Sequence, residues 1–96
     1  MDDATTAEVM LSGHVDHQAE ARLTEALDLL LGIHRVRQIE IDTAMVEFCD
    51  RGGLIVFLRA QQQAAKFGVP LRIVRATPML LHLLESTGLT QLLRSA

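Results

Sequence analysis

The sequence predicts an α/β domain with a mostly parallel sheet whose helices lie mainly on one face. Strand-like segments alternate along the chain with helical segments of about ten or more residues, and connections of that length join parallel strands. The strands also carry polar residues at alternate positions, such as Glu40 and Arg72. Strands covered on both faces have nearly continuous apolar runs instead. We therefore expect one face of the sheet to be only partly covered.

The first predicted elements are a short strand and a long helix. Residues 9–12 form an apolar strand that ends at Gly13. A helical period begins after Asp16, and Gly32 ends it. The apolar positions of this helix recur at helical spacing, at Ala19, Leu23, Ala26, Leu27 and Leu30.

A second strand and a second helix follow. Residues 39–42 alternate between apolar and polar side chains, and the apolar alternation continues to Phe48, which is expected to be buried. The second helix is predicted over residues 52–67 and ends at Gly68. Its inner stripe is predicted to contain Leu54, Phe57, Leu58, Ala64 and Ala65.

The remaining elements are a third strand, a third helix and a final turn. Residues 71–75 form the strand. Thr77 and Pro78 are typical of a helix start, as N-cap and first helical residue, and Gly88 ends this helix. Residues 90–93 are predicted to form a last helical turn.

Composition limits the classes of function. A chain of 96 residues forms a single domain, and 49 % hydrophobic with 3 % aromatic residues predicts an aliphatic core. The net charge is -3 and the basic residues are scattered, which argues against nucleic acid as a partner. One cysteine excludes an internal disulfide. The acidic start lacks the basic and apolar regions of a secretion signal, and the apolar runs are too short to insert into a membrane, so a cytoplasmic location is expected.

Three segments of the chain form a familiar combination: LSGHVDHQAEARL, EFCDRGGLIVFLRAQQQAAKFGVPLRIV and TPMLLHLLESTGLTQLL. They resemble STAS domains, the family that includes bacterial anti-sigma-factor antagonists and the cytosolic domains of sulphate transporters. The resemblance covers roughly residues 9–93 of a single domain that is expected to span residues 1–96. The resemblance implies the STAS fold. The chain departs from the family pattern in two places: it has little sequence for the usual N-terminal edge strand, and Arg51 and Gly52 replace a pair of serines.

The resemblance implies a regulatory role in protein binding. In anti-sigma-factor antagonists, a kinase-type anti-sigma factor phosphorylates the first of those serines and thereby releases the antagonist. Arg51 occupies the acceptor position and has no hydroxyl, so phosphorylation cannot control binding there. With a fixed positive charge, binding to the anti-sigma factor would be constitutive or regulated through the concentration of the partner. The opposite outcome is also open, since a bulky arginine could block docking and leave the chain with another partner.

A second hypothesis assigns the same fold to a different role, that of a transporter subunit. The STAS subunit of bacterial phospholipid-transport ABC systems has a loop resembling Asp-Thr-Gly-Gly, and residues 50–53 of this chain are Asp-Arg-Gly-Gly. Such a subunit docks onto a transporter ATPase. Neither reading requires catalysis or a cofactor, so we expect the chain to be no enzyme.

The predicted partner-binding residues are Asp50, Arg51, Gly52, Gly53 and Leu54 at the start of the second helix, with His14, Asp16 and His17 from the first turn. Asp50 is expected to cap the helix, and the glycines to leave its amides accessible. Arg51 opposes the helix dipole there, so it is expected to point outward or to pair with Asp16 or Asp42.

Other roles receive less support from the sequence. Asp16, Asp42 and Asp50 could converge at one rim of the sheet and hold Mg²⁺, although the chain lacks the remaining residues of a phospho-acceptor site. Cys49 could be slightly activated by the helix start and Arg51, but a lone cysteine is more often a packing residue. No metal site is therefore predicted. Self-association into a homodimer is one way in which the thin N-terminal edge of the sheet could be covered.

Overall fold

The computed structural model describes residues 5–33 and 35–94 and contains a parallel sheet of three strands in the order β1-β2-β3. The elements alternate as predicted. They are β1 Thr6–Val15, α1 Glu20–Leu31, β2 Gln38–Cys49, α2 Arg51–Ala65, β3 Leu71–Val74 and α3 Pro78–Thr87. Short 3₁₀ turns, His17–Ala19 and Thr90–Leu93, precede α1 and follow α3.

Local capping chemistry sets the helix boundaries. The Thr77 hydroxyl accepts the backbone N–H of Leu80 at 3.2 Å, with Pro78 as the first residue of α3. Gly88 ends α3 at a φ of 74°, where a side chain would be strained. These predicted boundaries are confirmed. In contrast, α1 begins later than predicted because Asp16 caps the 3₁₀ turn, accepting the Gln18 N–H at 2.9 Å.

The first two strands are longer than predicted. β1 continues through Gly13, which has a φ of 75°, instead of ending there. β2 is one strand of 12 residues, and its register against β1 shifts twice, each time with one extra residue on β2. Each extra residue reverses the alternation of side chains that follow it. The second shift lies between Val46 and Phe48, so these two side chains are on opposite faces although they are two residues apart. The prediction that Phe48 is buried is therefore wrong: its side chain is 49 % exposed, and the adjacent Cys49 is buried.

The helices cover one face of the sheet, as predicted, and the core lies between them. From α2, Leu54, Phe57 and Ala64 are buried as expected, whereas Leu58 is only half-buried and Ala65 is exposed. The strands contribute the other side of the core with Ile39, Ile41, Val46, Leu71 and Ile73. None of the helices in the described residues combines the length and apolar character needed to cross a bilayer.

Ion pairs connect the strands on the face that carries no helices, which we call the open face. Arg75 follows β3 in a left-handed conformation (φ 53°) that is unusual for a residue with a side chain. Its guanidinium donates to Asp42 at 2.8 Å and to Glu8, so that it joins β2 and β1 to the end of β3. Beside it, Arg72 of β3 pairs with Glu40 of β2 at 2.7 Å.

The buried Asp42 carboxylate predicts a loss of stability in acid. The N–H of Ala44 and the guanidinium of Arg75 both bond to it and lower its pKa below the ordinary value of 3.8. Because the folded pKa is the lower one, this stabilisation is present above 3.8 and is lost as the pH falls through the folded pKa. We expect Asp42→Asn to be less stable than wild type at pH 7. Below pH ~4 its free energy of unfolding should fall less steeply with decreasing pH than that of wild type.

Urea unfolding at a series of pH values from 7 to 3 checks this expectation. Glu25→Gln is the matched control, since Glu25 is an exposed carboxylate on α1. If Asp42→Asn and Glu25→Gln show the same pH dependence as wild type, Asp42 does not contribute to the acid transition.

Candidate functional site

The start of α2 is built by Asp50, which directly follows β2. Its backbone is extended, and its side chain accepts the Gly53 N–H at 2.9 Å. Its carbonyl accepts the N–H of Leu54 at 3.0 Å. The prediction that Asp50 caps this helix is confirmed.

The two glycines of this turn have different roles. A Cβ on Gly53 would lie 2.1 Å from the carbonyl oxygen of Val15 and 2.8 Å from the Cys49 sulfur, so only glycine fits between α2 and the end of β1. Gly53 is buried and its amide is occupied by Asp50. Gly52 is only half-buried. The expectation that the glycines leave the helix amides accessible is therefore wrong for Gly53, whose role is to let the turn pack closely. Leu54 is also buried beneath the surface.

Arg51 is the first residue of α2 and its side chain is exposed. Within residues 5–33 and 35–94 it makes no ion pair. Asp42 is bonded to Arg75 instead, and Asp16 caps the 3₁₀ turn. Of the two expected arrangements of Arg51, the structure has the outward orientation and not the pairing with Asp16 or Asp42. A free guanidinium is available at this surface for a carboxylate or phosphate.

A groove of about 340 Å³ lies beside Arg51, between the start of α2 and the end of α3. We call it the α2–α3 groove; its lining residues are Arg51, Leu54, Ile55, Ser86, Thr87 and Leu89. Ile55 is 47 % exposed, although it is large and apolar. Sequence periodicity does not reveal this groove. The one signal in the sequence is that Ile55 falls outside the inner stripe of α2.

The turn after β1 lies next to the start of α2, as predicted. A Cβ on Gly52 would be 3.3 Å from the backbone nitrogen of His17, which shows how closely the two segments approach. His14 and His17 are exposed, while Asp16 is half-buried. The rings of His14 and Phe48 meet in an edge-to-face arrangement, with 5.5 Å between centroids.

An apolar patch on the open face was not predicted. Phe48, Met45 and Met10 are 49 %, 61 % and 65 % exposed. Met45 faces outward after the first register shift in β2, and Phe48 after the second; sequence periodicity does not reveal either shift.

Cys49 is a buried packing residue, and its thiol is not activated as a nucleophile. Burial, followed by the negative charge of Asp50, raises the pKa of its thiol to about 11. The thiol donates weakly to the Asp50 carbonyl at 3.5 Å. The expectation of slight activation by the helix start and Arg51 is therefore wrong, because the thiol stays protonated at neutral pH.

The three aspartates considered for Mg²⁺ do not form one site. Asp16 and Asp50 cap different helical segments, and Asp42 is bonded to Arg75 on the open face. No cluster of three or more His, Cys, Asp or Glu suited to a metal occurs in the part of the chain that the structure describes. The hypothesis of convergence at one rim is wrong.

Comparison with protein families and known proteins gives one family. A family model described as "Mlab, STAS domain" matches residues 2–94. No curated protein matches the sequence.

Solved structures with a similar fold come from several bacteria. A sulfate transporter family protein from Wolinella succinogenes is 17 % identical, with a TM-score of 0.77 over 98 % of this chain and 83 % of that one. The STAS domain of a SulP transporter from Vibrio cholerae is 18 % identical, with a TM-score of 0.78 over 98 % and 72 %. The Bacillus cell fate determinant SpoIIAA, in its phosphorylated form, is 18 % identical, with a TM-score of 0.69 over 100 % and 86 %. At these identities the likeness shows the fold alone.

Proposed function

The chain belongs to the STAS family, and from that premise we propose that it is a protein-binding module of the anti-sigma-factor antagonist type. Its partner is an anti-sigma factor of the kinase class, and binding is not controlled by phosphorylation at residue 51. SpoIIAA in its unphosphorylated form, described as an anti-sigma factor antagonist, is among the solved structures of similar fold, with a TM-score of 0.65. This proposal implies a cytoplasmic site of action and no catalytic role.

Arg51 is the observation that carries the proposal. Its exposed guanidinium has no ion-pair partner in the described residues, and it stands between the α2–α3 groove and the turn with His14 and His17. A positive charge at a helix start is unfavourable within the isolated chain, by roughly 0.3–1 kcal/mol. A carboxylate or phosphate on the partner would offset that cost at the interface.

The proposed interface combines this charge with apolar contacts. Arg51 and Ile55 supply the centre, and the exposed Phe48 extends the surface toward the open face. Asp50, Gly52, His14, Asp16 and His17 form the surrounding rim. Gly53 and Leu54 are buried beneath this surface and support it through packing. Aromatic residues and arginine at the centre with polar residues around them are typical of protein interfaces.

Restoring the hydroxyl tests the proposal directly. Wild type and Arg51→Ser are used to capture partners from the source cell, and each is then incubated with ATP and the recovered partner. We expect both to capture a kinase-type anti-sigma factor and only Arg51→Ser to gain a phosphate, because wild type has no hydroxyl at that position. Intact-mass measurement gives the readout.

Arg59→Ser is the matched control, since it places a serine at an exposed position of the same helix, away from the groove. It should gain no phosphate. Capture of no anti-sigma factor by either bait, or equal phosphorylation of wild type, would contradict the proposal.

A second candidate is a STAS subunit that docks onto a transporter ATPase. It is favoured by residues 50–53, Asp-Arg-Gly-Gly, and by the transporter origin of two of the similar structures. The same capture experiment distinguishes the two, because recovery of a transporter ATPase with wild type and with Arg51→Ser supports this candidate.

A further inference from the structure

In the part of the chain that the structure describes, no strand covers the outer edge of β1. β1 is an edge strand in the order β1-β2-β3, and no other strand of the described residues pairs with its outer side. At about 3.3 Å per residue, its ten residues present an edge of roughly 33 Å. Unpaired N–H and C=O groups on such an edge are a template for another strand.

The opposite edge of the sheet is protected. β3 has only four residues, and the 3₁₀ turn Thr90–Leu93 packs against it. The Gln61 side chain also donates to the carbonyl of Leu71 at 3.0 Å. One edge of this sheet is therefore short and covered, while the other is long and open.

β1 lacks the features that usually keep an edge from pairing. It contains no Pro, Lys or Arg, and its one charged residue, Glu8, is bonded to Arg75 of the same chain. The extra residues at the two register shifts belong to β2, and the left-handed Gly13 (φ 75°) lies beyond the stretch Glu8–Ser12, so this central stretch of β1 carries no bulge that twists it away from a partner strand.

We propose that a second copy of this chain covers this edge, with the two β1 strands antiparallel and centred on Met10. In this register Met10 faces Met10 of the second copy, and Glu8 faces Ser12 of the second copy. Thr6 is then opposite His14 of the second copy. No like charges meet, because Glu8 is the only charged residue in the strand.

The same register brings apolar residues together on the helix-covered face. Val9 lies opposite Leu11 of the second copy. By symmetry Leu11 lies opposite Val9 of the second copy, so four apolar side chains come together. In the single chain Val9 and Leu11 are only half-buried, beside a groove of about 240 Å³ that Leu23 and Ala26 of α1 also line. On the open face the two Met10 side chains, each 65 % exposed in the single chain, also come into contact.

A second copy suits this edge because the register is self-complementary: Val9 meets Leu11, Met10 meets Met10, and no like charges are opposed. The resulting dimer has one continuous sheet of six strands. Because the strands are antiparallel across the dyad, the two Arg51 surfaces lie at opposite ends of it and remain accessible.

Opposite charges at residue 10 provide the test, with sedimentation velocity over a range of concentrations. We expect wild type to form dimers, and Met10→Lys and Met10→Glu each to raise the dissociation constant at least about tenfold, because like charges meet at the dyad. An equimolar mixture of the two variants should recover the dimer. Met45→Lys and Met45→Glu are matched controls, since Met45 is 61 % exposed on β2 and away from the edge.

Cross-linking tests the register independently. Paired residues of antiparallel strands have Cα atoms about 4.5–5.5 Å apart, within the range for a disulfide. We expect Met10→Cys to form a covalent dimer under mild oxidation and Met45→Cys to form little, with native Cys49 buried in both. A wild-type monomer at high concentration would overturn the proposal and leave the edge to a strand of another protein. A dimer that tolerates both charges at residue 10 would also overturn it.

Discussion

Replacing Gly53 with alanine is expected to remove about 3 kcal/mol or more of folding stability, a large fraction of the ~5–15 kcal/mol typical of a domain. The added Cβ would lie 2.1 Å from the carbonyl oxygen of Val15 and 2.8 Å from the Cys49 sulfur. The closest atom belongs to the β1 backbone, so no side-chain rotation can relieve the overlap. α2 would have to move away from the sheet, and the Asp50 bond to the Gly53 N–H would be lost with it.

Two further Gly→Ala changes separate this effect from the general cost of removing glycine. At Gly32 a Cβ would have ordinary contacts of 3.6 Å with a φ of -81°, so alanine should be neutral or stabilising by about 0.4–1 kcal/mol. At Gly52 the nearest atoms would be 3.2 and 3.3 Å away, and a loss of up to about 1 kcal/mol is expected.

Chemical unfolding of the three variants at pH 7 gives the comparison. If the free energies of unfolding of Gly53→Ala and Gly32→Ala differ by less than about 1 kcal/mol, the close packing of α2 against β1 is not the reason for glycine at position 53.

Features fixed by neighbouring residues could be predicted from the sequence. Asp50 and Thr77 cap their helices, and Gly88 ends α3, because each feature depends on a few consecutive residues. The alternating polar residues of the strands also predicted a half-covered sheet correctly, since that pattern directly reflects which face is buried.

Features that depend on contacts between distant segments could not be predicted. The exposure of Phe48, two residues after the buried Val46, follows from the register shift that lies between them, which no local pattern in β2 reveals. Gly53 is required by the carbonyl of Val15, a residue 38 positions earlier. The bond between Asp42 and Arg75 depends on the left-handed backbone of Arg75 at the end of β3.

The candidate site shows the same division. The exposure of Arg51 follows from its place as the first residue of α2, so the sequence was sufficient for it. The α2–α3 groove instead requires Ile55 to lie beside the end of α3, with Ser86 and Thr87. Because those segments are about 30 residues apart in the chain, only the folded structure brings them together.

Charge reversal at Arg51 is expected to change stability and binding in opposite directions. A glutamate in the first turn of α2 interacts favourably with the helix dipole, so Arg51→Glu should raise the free energy of unfolding by about 0.3–1 kcal/mol. In the proposed complex the same change places a negative charge against an acidic group of the partner. The affinity should fall at least about tenfold, which is about 1.4 kcal/mol.

Titration of the recovered partner at low and high salt measures this effect. Wild-type affinity should weaken as salt is added, whereas the residual affinity of Arg51→Glu should not, because the attractive pair is absent. Lys66→Glu is the control, since Lys66 is exposed at the opposite end of α2. Because Arg51→Glu makes the domain more stable, lost binding cannot be attributed to unfolding. Unchanged binding by Arg51→Glu would mean that Arg51 does not contact an acidic group of the partner. Tighter binding would mean that Arg51 is an obstacle to docking, as a bulky residue at the acceptor position could be.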